Sequence, residues 1–360
     1  MIPISICIIG KNEENNIEKC LEPLTHYPFE IIYVDTGSTD RTKELAAKYT
    51  NKIYDFEWIG DFSAARNYSL SKASHNYVLV LDCDEYLTEI DLEGICQEIE
   101  KHPRSVGQLL RHSYTGESVG DTFSPERVDR LFHKRYYHYC YIIHEQVSDI
   151  KTDNTDYERY DIPLIVDHVG YVGTIDQKRL KADRNNELLF QEIERNPTES
   201  YFYFQVGQSY NIIEDYENAY IYYKKAFMLP LNLDNLWVHV MATAFINTMI
   251  QTGRAEEALA LYEPVYNDYA QDVEFLCSMG NLYLGQDPPQ PLKAMMEFVK
   301  TLQFPEQERS DSITYVSLYG MGFSNELLGN LPAAISFYQK SAAYGFPPAL
   351  EKLSFYGSAE

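Results

Sequence analysis

Two acidic residues two positions apart, Asp82 and Asp84 in Leu81-Asp82-Cys83-Asp84-Glu85, directly follow an apolar run, Tyr77–Leu81. In extended backbone, residues i and i+2 project to the same side. The two carboxylates are therefore expected to converge on one point at a strand end. Paired hard oxygens suit Mg2+ or Mn2+, cations that keep positions open for the phosphates of a substrate. A capping or solvated acidic pair is the alternative that the spacing leaves standing.

A second cluster, Asp35-Thr36-Gly37-Ser38-Thr39-Asp40, also closes an apolar run. Gly37 permits a tight turn, Ser38 or Thr39 can cap the next helix, and a helix N-terminus favours an anion. Asp35 can accept a hydrogen bond from the N–H of a nucleobase; a plain capped helix is the alternative. No G-x-G-x-x-G follows any strand, which counts against a nicotinamide or flavin enzyme. His133, His138, Cys140 and His144 fit no standard zinc spacing. His144 and His168 are better placed to touch a diphosphate, a metal or an acceptor. Arg130, Lys178 and Arg184 can neutralise a leaving group, or merely pair with surface acids.

The elements that must position these residues alternate. Ser5–Ile9, Ile31–Val34, Lys52–Phe56 and Tyr77–Leu81 are expected strands; Asn15–Leu24, a segment ending near Tyr49, and Asp61–Ala73 are expected helices. Strands buried on both faces and separated by helices imply a parallel sheet of βαβ units, with ligands bound beyond the carboxyl ends of its strands. Both acidic clusters fall at such ends.

After a helix over Asp176–Glu194 and a boundary near Pro197, the pattern becomes purely helical and repetitive. Gly207, Tyr210, Ala219, Tyr223 and Ala226, closed by Pro230, have the offsets of a tetratricopeptide unit. Gly322, Ala334 and Tyr338 repeat them, with Gly329 at the turn. Gly253, Ala258 and Tyr262 form a degenerate unit, and Gly280 with Tyr283 begin another. Domains of residues 1–195 and 196–360 follow.

The composition is that of a globular protein, and no apolar run reaches the roughly 18 residues of a membrane span. Residues Ile4–Ile9 form a buried strand, not a signal peptide, and the expected location is cytoplasmic. With 30 basic and 54 acidic residues the formal charge is −24, which excludes general nucleic-acid binding but not a small anionic ligand. The six cysteines contain no C-x-x-C and are expected to be reduced thiols.

Taken together, Ser5–Asn15, Tyr33–Asp40 and Leu81–Glu85 resemble family 2 glycosyltransferases of the GT-A fold. Asp61-Phe62-Ser63-Ala64-Ala65-Arg66-Asn67, Arg130-Leu131-Phe132, Ile143-His144-Glu145, and His168-Val169-Gly170-Tyr171 with Arg184-Asn185 are similar to a tetratricopeptide-bearing subgroup. That subgroup includes sublancin-type peptide S-glycosyltransferases and transferases of surface glycans. The resemblance implies an α/β GT-A domain followed by an all-α repeat domain. It also implies that Asp35 holds uracil or another base, with Ile9, Lys11 and Glu13 lining the nucleoside pocket and Arg66 approaching the base or diphosphate. Asp82 then sits near the ribose or donor sugar and Asp84 binds Mg2+ or Mn2+. His144 and Asp82 are further candidate ligands of that metal, and Arg130 a further contact to the donor. Many relatives carry two adjacent aspartates where this chain has Asp35-Thr36.

The implied reaction is inverting transfer from a nucleotide sugar, a UDP-sugar, to a polypeptide or surface saccharide, with Glu145 as general base and Asp121 or Asp149 next in line. The repeat domain would present the acceptor or mediate homodimerisation. A catalytically inactive nucleotide-binding scaffold is the competing reading. A nucleotidyltransferase ranks lower, because Gly10-Lys11-Asn12-Glu13-Glu14 is acidic and has one glycine.

Overall fold

The structure is a computed structural model that describes residues 2–115, 122–152, 154–170, 174–305 and 309–357. Two compact units emerge, Met1–Glu192 and Ile193–Glu360. The first begins with β1 (Ile4–Gly10), α1 (Ile17–Leu24), β2 (Glu30–Asp35), α2 (Thr42–Ala46), β3 (Ile53–Asp55), α3 (Phe62–Lys72) and β4 (Tyr77–Asp82). It continues with β5 (Glu85–Ile90), α4 (Leu92–Lys101), β6 (Val106–Thr115), β7 (Thr122–His133), β8 (Tyr137–Cys140), β9 (Gln146–Asp149), β10 (Arg159–His168) and α5 (Ile175–Arg195).

Eight strands form one sheet in the order β3-β2-β1-β4-β7-β6-β10-β5, and β8 pairs with β9 apart from it. From β3 to β4 every pairing is parallel. The apolar alternation along β1 explains why. Ile4, Ile6 and Ile8 pack with Ile17 and Leu21 of α1, while Cys7 and Ile9 pack with Ala65 and Leu70 of α3. A strand covered on both faces carries no charge, as the sequence shows. The register then aligns Gly10 with Asp35 and Ile9 with Asp82, so both acidic clusters end at one edge of the sheet. The other half, β7, β6, β10 and β5, is mixed, with β6 and β10 parallel and the remaining pairings antiparallel, and it has no comparably clean sequence signal. Its strands are amphipathic: along β10, Tyr160, Ile162, Leu164 and Val166 are buried while alternate residues face outward.

The second unit is helical: α6 (Ser200–Ile212), α7 (Tyr216–Phe227), α8 (Leu236–Gln251), α9 (Ala255–Tyr262), α10 (Tyr266–Tyr269), α11 (Val273–Leu284), α12 (Pro291–Gln303), α13 (Asp311–Leu327), α14 (Leu331–Ala342) and α15 (Pro347–Gly357). Helix starts are capped by Asp215, Asp272 and Ser310, whose side chains accept from backbone N–H groups at the second or third helical position. The pattern of small residues opposite aromatics explains the hairpins. A Cβ on Gly207 would lie 2.5 Å from the Tyr223 ring, one on Gly280 2.5 Å from Phe298, and one on Gly322 2.6 Å from Tyr338. Each glycine lets the aromatic of the second helix rest against the backbone of the first, the contact that defines a tetratricopeptide hairpin. Gly253 and Gly329 take φ of 71° and 76° between helices, a left-handed turn that glycine enters without strain.

This packing makes a test. Gly207→Val drives two methyl groups into the buried Tyr223 ring and is expected to cost about 1–3 kcal/mol of stability. Urea unfolding followed by circular dichroism reads it, and an unchanged midpoint would mean that Tyr223 does not need the gap.

Candidate active site

The loops after β1 and β2 are laced together by side chains that their sequences supply locally. Asn12, with φ of 58°, accepts from Thr39 N at 2.8 Å through Oδ1, and its own N–H donates to Ser38 Oγ at 2.9 Å. Glu13 N donates to Thr42 Oγ1 at 2.7 Å, and Glu14 N to Asp40 Oδ2 at 3.2 Å. Beneath them Asp35 is 2% exposed. Its Oδ2 accepts from Gly37 N at 3.1 Å and Ser38 N at 2.9 Å, and Tyr33 Oη donates to Oδ1 at 3.4 Å. Asp35 thus shapes its own turn. Of the other residues expected at a nucleoside pocket, Ile9 is buried in the α3-side core and Lys11 is exposed. Glu13 is held above the usual carboxylate range by burial, and the charges of Asp84 and Asp82 add to that rise. Glu13 therefore shares the field of the second acidic cluster.

At that cluster one expectation fails. The strand ends at Asp82, and Cys83 and Asp84 form a turn into β5, so the extended-chain geometry that would align the two carboxylates is absent. They face different partners. Asp82 Oδ1 accepts from Arg66 Nη2 at 2.7 Å and Oδ2 from Arg130 Nη2 at 2.6 Å. Arg130 also donates to the fully buried Glu85 at 2.6 Å, which Arg111 reaches at 3.2 Å. Burial raises the Asp82 carboxyl, but the guanidiniums of Arg130 and Arg66 outweigh it and hold the group well below the usual range. Arg66 and Arg130 are thus engaged with Asp82, Glu85 and Glu145, whereas the resemblance implies contacts to the base, diphosphate or donor.

Arg130→Met would leave Asp82 and Glu85 buried with less compensation, and should cost about 3–5 kcal/mol at neutral pH. A depressed carboxyl contributes stability that is present above its unfolded pKa of about 4 and lost as pH falls through its native value. The penalty should thus shrink on acidification. Unfolding midpoints of both proteins from pH 7 down to about pH 2 check this, and a constant difference over that range would contradict it.

The segment Asp61–Asn67 acts as a bracket. Asp61 caps α3 by accepting from Ala64 N at 2.8 Å. Asn67 grips the backbone of Tyr139, donating to its carbonyl at 2.8 Å and accepting from its N–H at 2.9 Å. Ser63 bonds to the carbonyl of Tyr141, and Phe62 N donates to Ile142 O at 2.9 Å. From α5, Glu192 accepts from Ile142 N at 2.6 Å. The loop so clamped carries His144 and Glu145. Arg66 pairs through Nε with Glu145 Oε1, and its guanidinium lies 5.4 Å from the centre of the Tyr139 ring. One arginine thus ties Glu145 to Asp82. The roles of Ser63 and Asn67 were missed in the sequence because their partners are backbone atoms of a distant strand.

His144 has φ of 48°, and burial lowers its pKa to about 4, so the ring is neutral at physiological pH. Among the described residues no three His, Cys, Asp or Glu side chains gather as a metal group, so Asp82, Asp84 and His144 do not form the expected set. Instead Asp84 Oδ2 faces His168 Nε2 at 3.6 Å. Register places them: His168 at the end of β10 pairs with Glu85, and Val169 N donates to Asp84 O at 3.1 Å. Ser113 Oγ, buried, lies 3.5 Å from His168 Nδ1, leaving Nε2 directed at the carboxylate. A Cβ on Gly170 would meet Asp84 Oδ2 at 2.4 Å and His168 Nε2 at 2.5 Å, so both donors open onto a space that a larger residue would fill. Asp149 spends its carboxylate on its own turn, accepting from Lys151 N at 2.8 Å and Thr152 N at 3.1 Å. Asp121 and Tyr171 lie outside the described residues.

Known proteins match this chain in both parts. The "Glycosyl transferase family 2" description matches residues 5–150. A TPR repeat-containing protein of Synechococcus elongatus is 28% identical over 214 residues, 58% of this chain and 52% of its own length. The SPbeta prophage-derived glycosyltransferase SunS of Bacillus subtilis is 26% identical over 230 residues, 62% of this chain and 53% of its own. The chain spans about half the length of these curated relatives. A solved structure of S. aureus TarS residues 1–349 with UDP-GlcNAc covers 95% of this chain and 90% of that one at 12% identity, with a TM-score of 0.37. Among the described residues, no helix is long and apolar enough to cross a membrane. The chain carries a glycosyl transferase family 2 domain over residues 5–150, joined to a region of tetratricopeptide-type helical hairpins.

Proposed function

We propose that this chain is an inverting glycosyltransferase that moves a sugar from a UDP-sugar to a polypeptide or surface-glycan acceptor with the help of a divalent metal. The observation that carries the reading is the meeting of three groups in a family 2 domain: the laced Asp35 loop, the Asp84–His168 pair, and the clamped Glu145 tied to Asp82 through Arg66. The loop at Lys11–Glu13 and the turn that Asp35 shapes would receive the nucleoside.

The donor set at Gly170 suits a metal. A carboxylate oxygen and an imidazole nitrogen around a space free of Cβ fit Mn2+ better than Mg2+, which prefers oxygen throughout. When bound, the cation would supply Lewis-acid stabilisation of the departing diphosphate. Glu145, fixed by Arg66 and by the clamp on its loop, would take the proton of the acceptor hydroxyl or thiol as it attacks the anomeric carbon. His144, neutral at working pH, adds no charge beside it. The helical hairpins would present the acceptor or pair two chains.

A thermal-shift titration with UDP, GDP, UDP-glucose and UDP-N-acetylglucosamine, with and without Mn2+, tests the reading. A ligand at 100 times its Kd stabilises the native state by about 2.7 kcal/mol. A Mn2+-dependent shift with uridine nucleotides is the expected result. No shift with any nucleotide would remove the transferase reading.

A further inference from the structure

Arg66, Arg130 and Arg111 are all engaged with carboxylates of the chain, so the donor diphosphate is left to other cations, among which Arg184 of α5 is close enough to Glu13 to feel its charge. The mouth itself is acidic, and the charges of Asp84 and Asp82 add to the rise that burial gives Glu13. A dianionic group entering there needs positive charge beyond that of one cation, much of which Asp84 already offsets.

Helix α5 brings that charge. Lys181 Nζ donates to the carbonyl of Gly170 at 3.1 Å, at the residue onto which Asp84 and His168 both open. Its ammonium also acts on two other elements: it lowers the pKa of Glu13 in the loop after β1 and that of His144 in the loop carrying Glu145. A single cation thus stands in the field of the nucleoside side, the Asp84–His168 pair and the Glu145 loop. The phosphoryl group that links nucleoside to sugar must lie between those same three places. Lys178, one turn away on α5, donates its backbone N–H to the Thr174 carbonyl.

We propose that Lys181 is the residue that binds the diphosphate of the donor and stabilises it as the leaving group. The assignment rests on the transferase reading above. On diphosphate arrival the ammonium exchanges the Gly170 carbonyl for phosphate oxygens, a swap that a flexible lysine stem permits and that strengthens the bond by adding charge to the acceptor. Lysine is suited to this position because it acts as a point charge and needs no planar partner.

The test is calorimetric titration of the full chain in Mn2+ buffer with uridine, UMP and UDP, comparing the unaltered protein with Lys181→Gln and Lys178→Gln. Lys181→Gln should bind UDP about 10- to 100-fold more weakly. It should bind uridine unchanged, and Lys178→Gln should bind both normally. Equal UDP affinity for Lys181→Gln and the unaltered protein would overturn the assignment. So would a parallel loss for uridine, which marks a structural effect, or a loss confined to Lys178→Gln. If the unaltered protein binds neither uridine nor UDP, the transferase reading itself falls, an outcome separable from failure of Lys181 alone.

Discussion

Glu145→Gln should leave donor binding near normal while transfer to acceptor falls by about 10²- to 10⁴-fold, the usual contribution of a positioned general base. The substitution is nearly isosteric. The amide oxygen can still accept from Arg66 Nε, so the link from Glu145 through Arg66 to Asp82 keeps its shape. What disappears is an oxygen able to take the acceptor proton. The measurement pairs a transfer assay with UDP titration on the same preparation. A large fall in transfer with unchanged UDP affinity assigns the base. Retained transfer would move the role away from Glu145. Asp149 is then a poor successor, because two backbone N–H groups hold its carboxylate and lower its pKa, leaving it a weak base.

Asp84→Ala should abolish metal-dependent turnover with the fold intact. Losing several kcal/mol of charge stabilisation corresponds to roughly 10³-fold in rate. The fold should survive because Asp84 lies in a turn and meets the imidazole of His168, not a buried guanidinium. Asp82 differs: both of its oxygens are engaged by arginines, so its removal would be read first as instability. Turnover of Asp84→Ala against Mn2+ concentration, beside its melting temperature, separates the two cases. An unchanged rate and unchanged Mn2+ dependence would remove Asp84 from the metal. Gly170→Ala offers a subtler version, since its new methyl group intrudes on both Asp84 and His168. It should weaken Mn2+ dependence without deleting either donor.

Much of this architecture could be written from the sequence because the forces behind it are local. The uncharged runs of β1 and β4 report burial on both faces, and the helix expected from Asp61 starts where that residue caps α3. The glycine-to-aromatic spacing of α6–α7 and α13–α14 reports a hairpin, because two helices joined by a short turn must meet at fixed offsets. Asp35, Asp82 and Asp84 were legible as strand-end acids for the same reason.

What those acids touch was decided by tertiary structure alone. The i, i+2 rule for Asp82 and Asp84 holds only while the backbone stays extended, and the turn at Cys83–Asp84 ends that at once. Asp82 then finds Arg66 on α3 and Arg130 on β7, Asp84 finds His168 at the end of β10, and Glu145 finds Arg66. Those partners come from elements that sheet order and register bring together, and no local pattern encodes a contact made across dozens of residues. Local periodicity depends on neighbouring residues and is written in the chain. The pairing of charges depends on which strand ends beside which, and exists only once the sheet has formed.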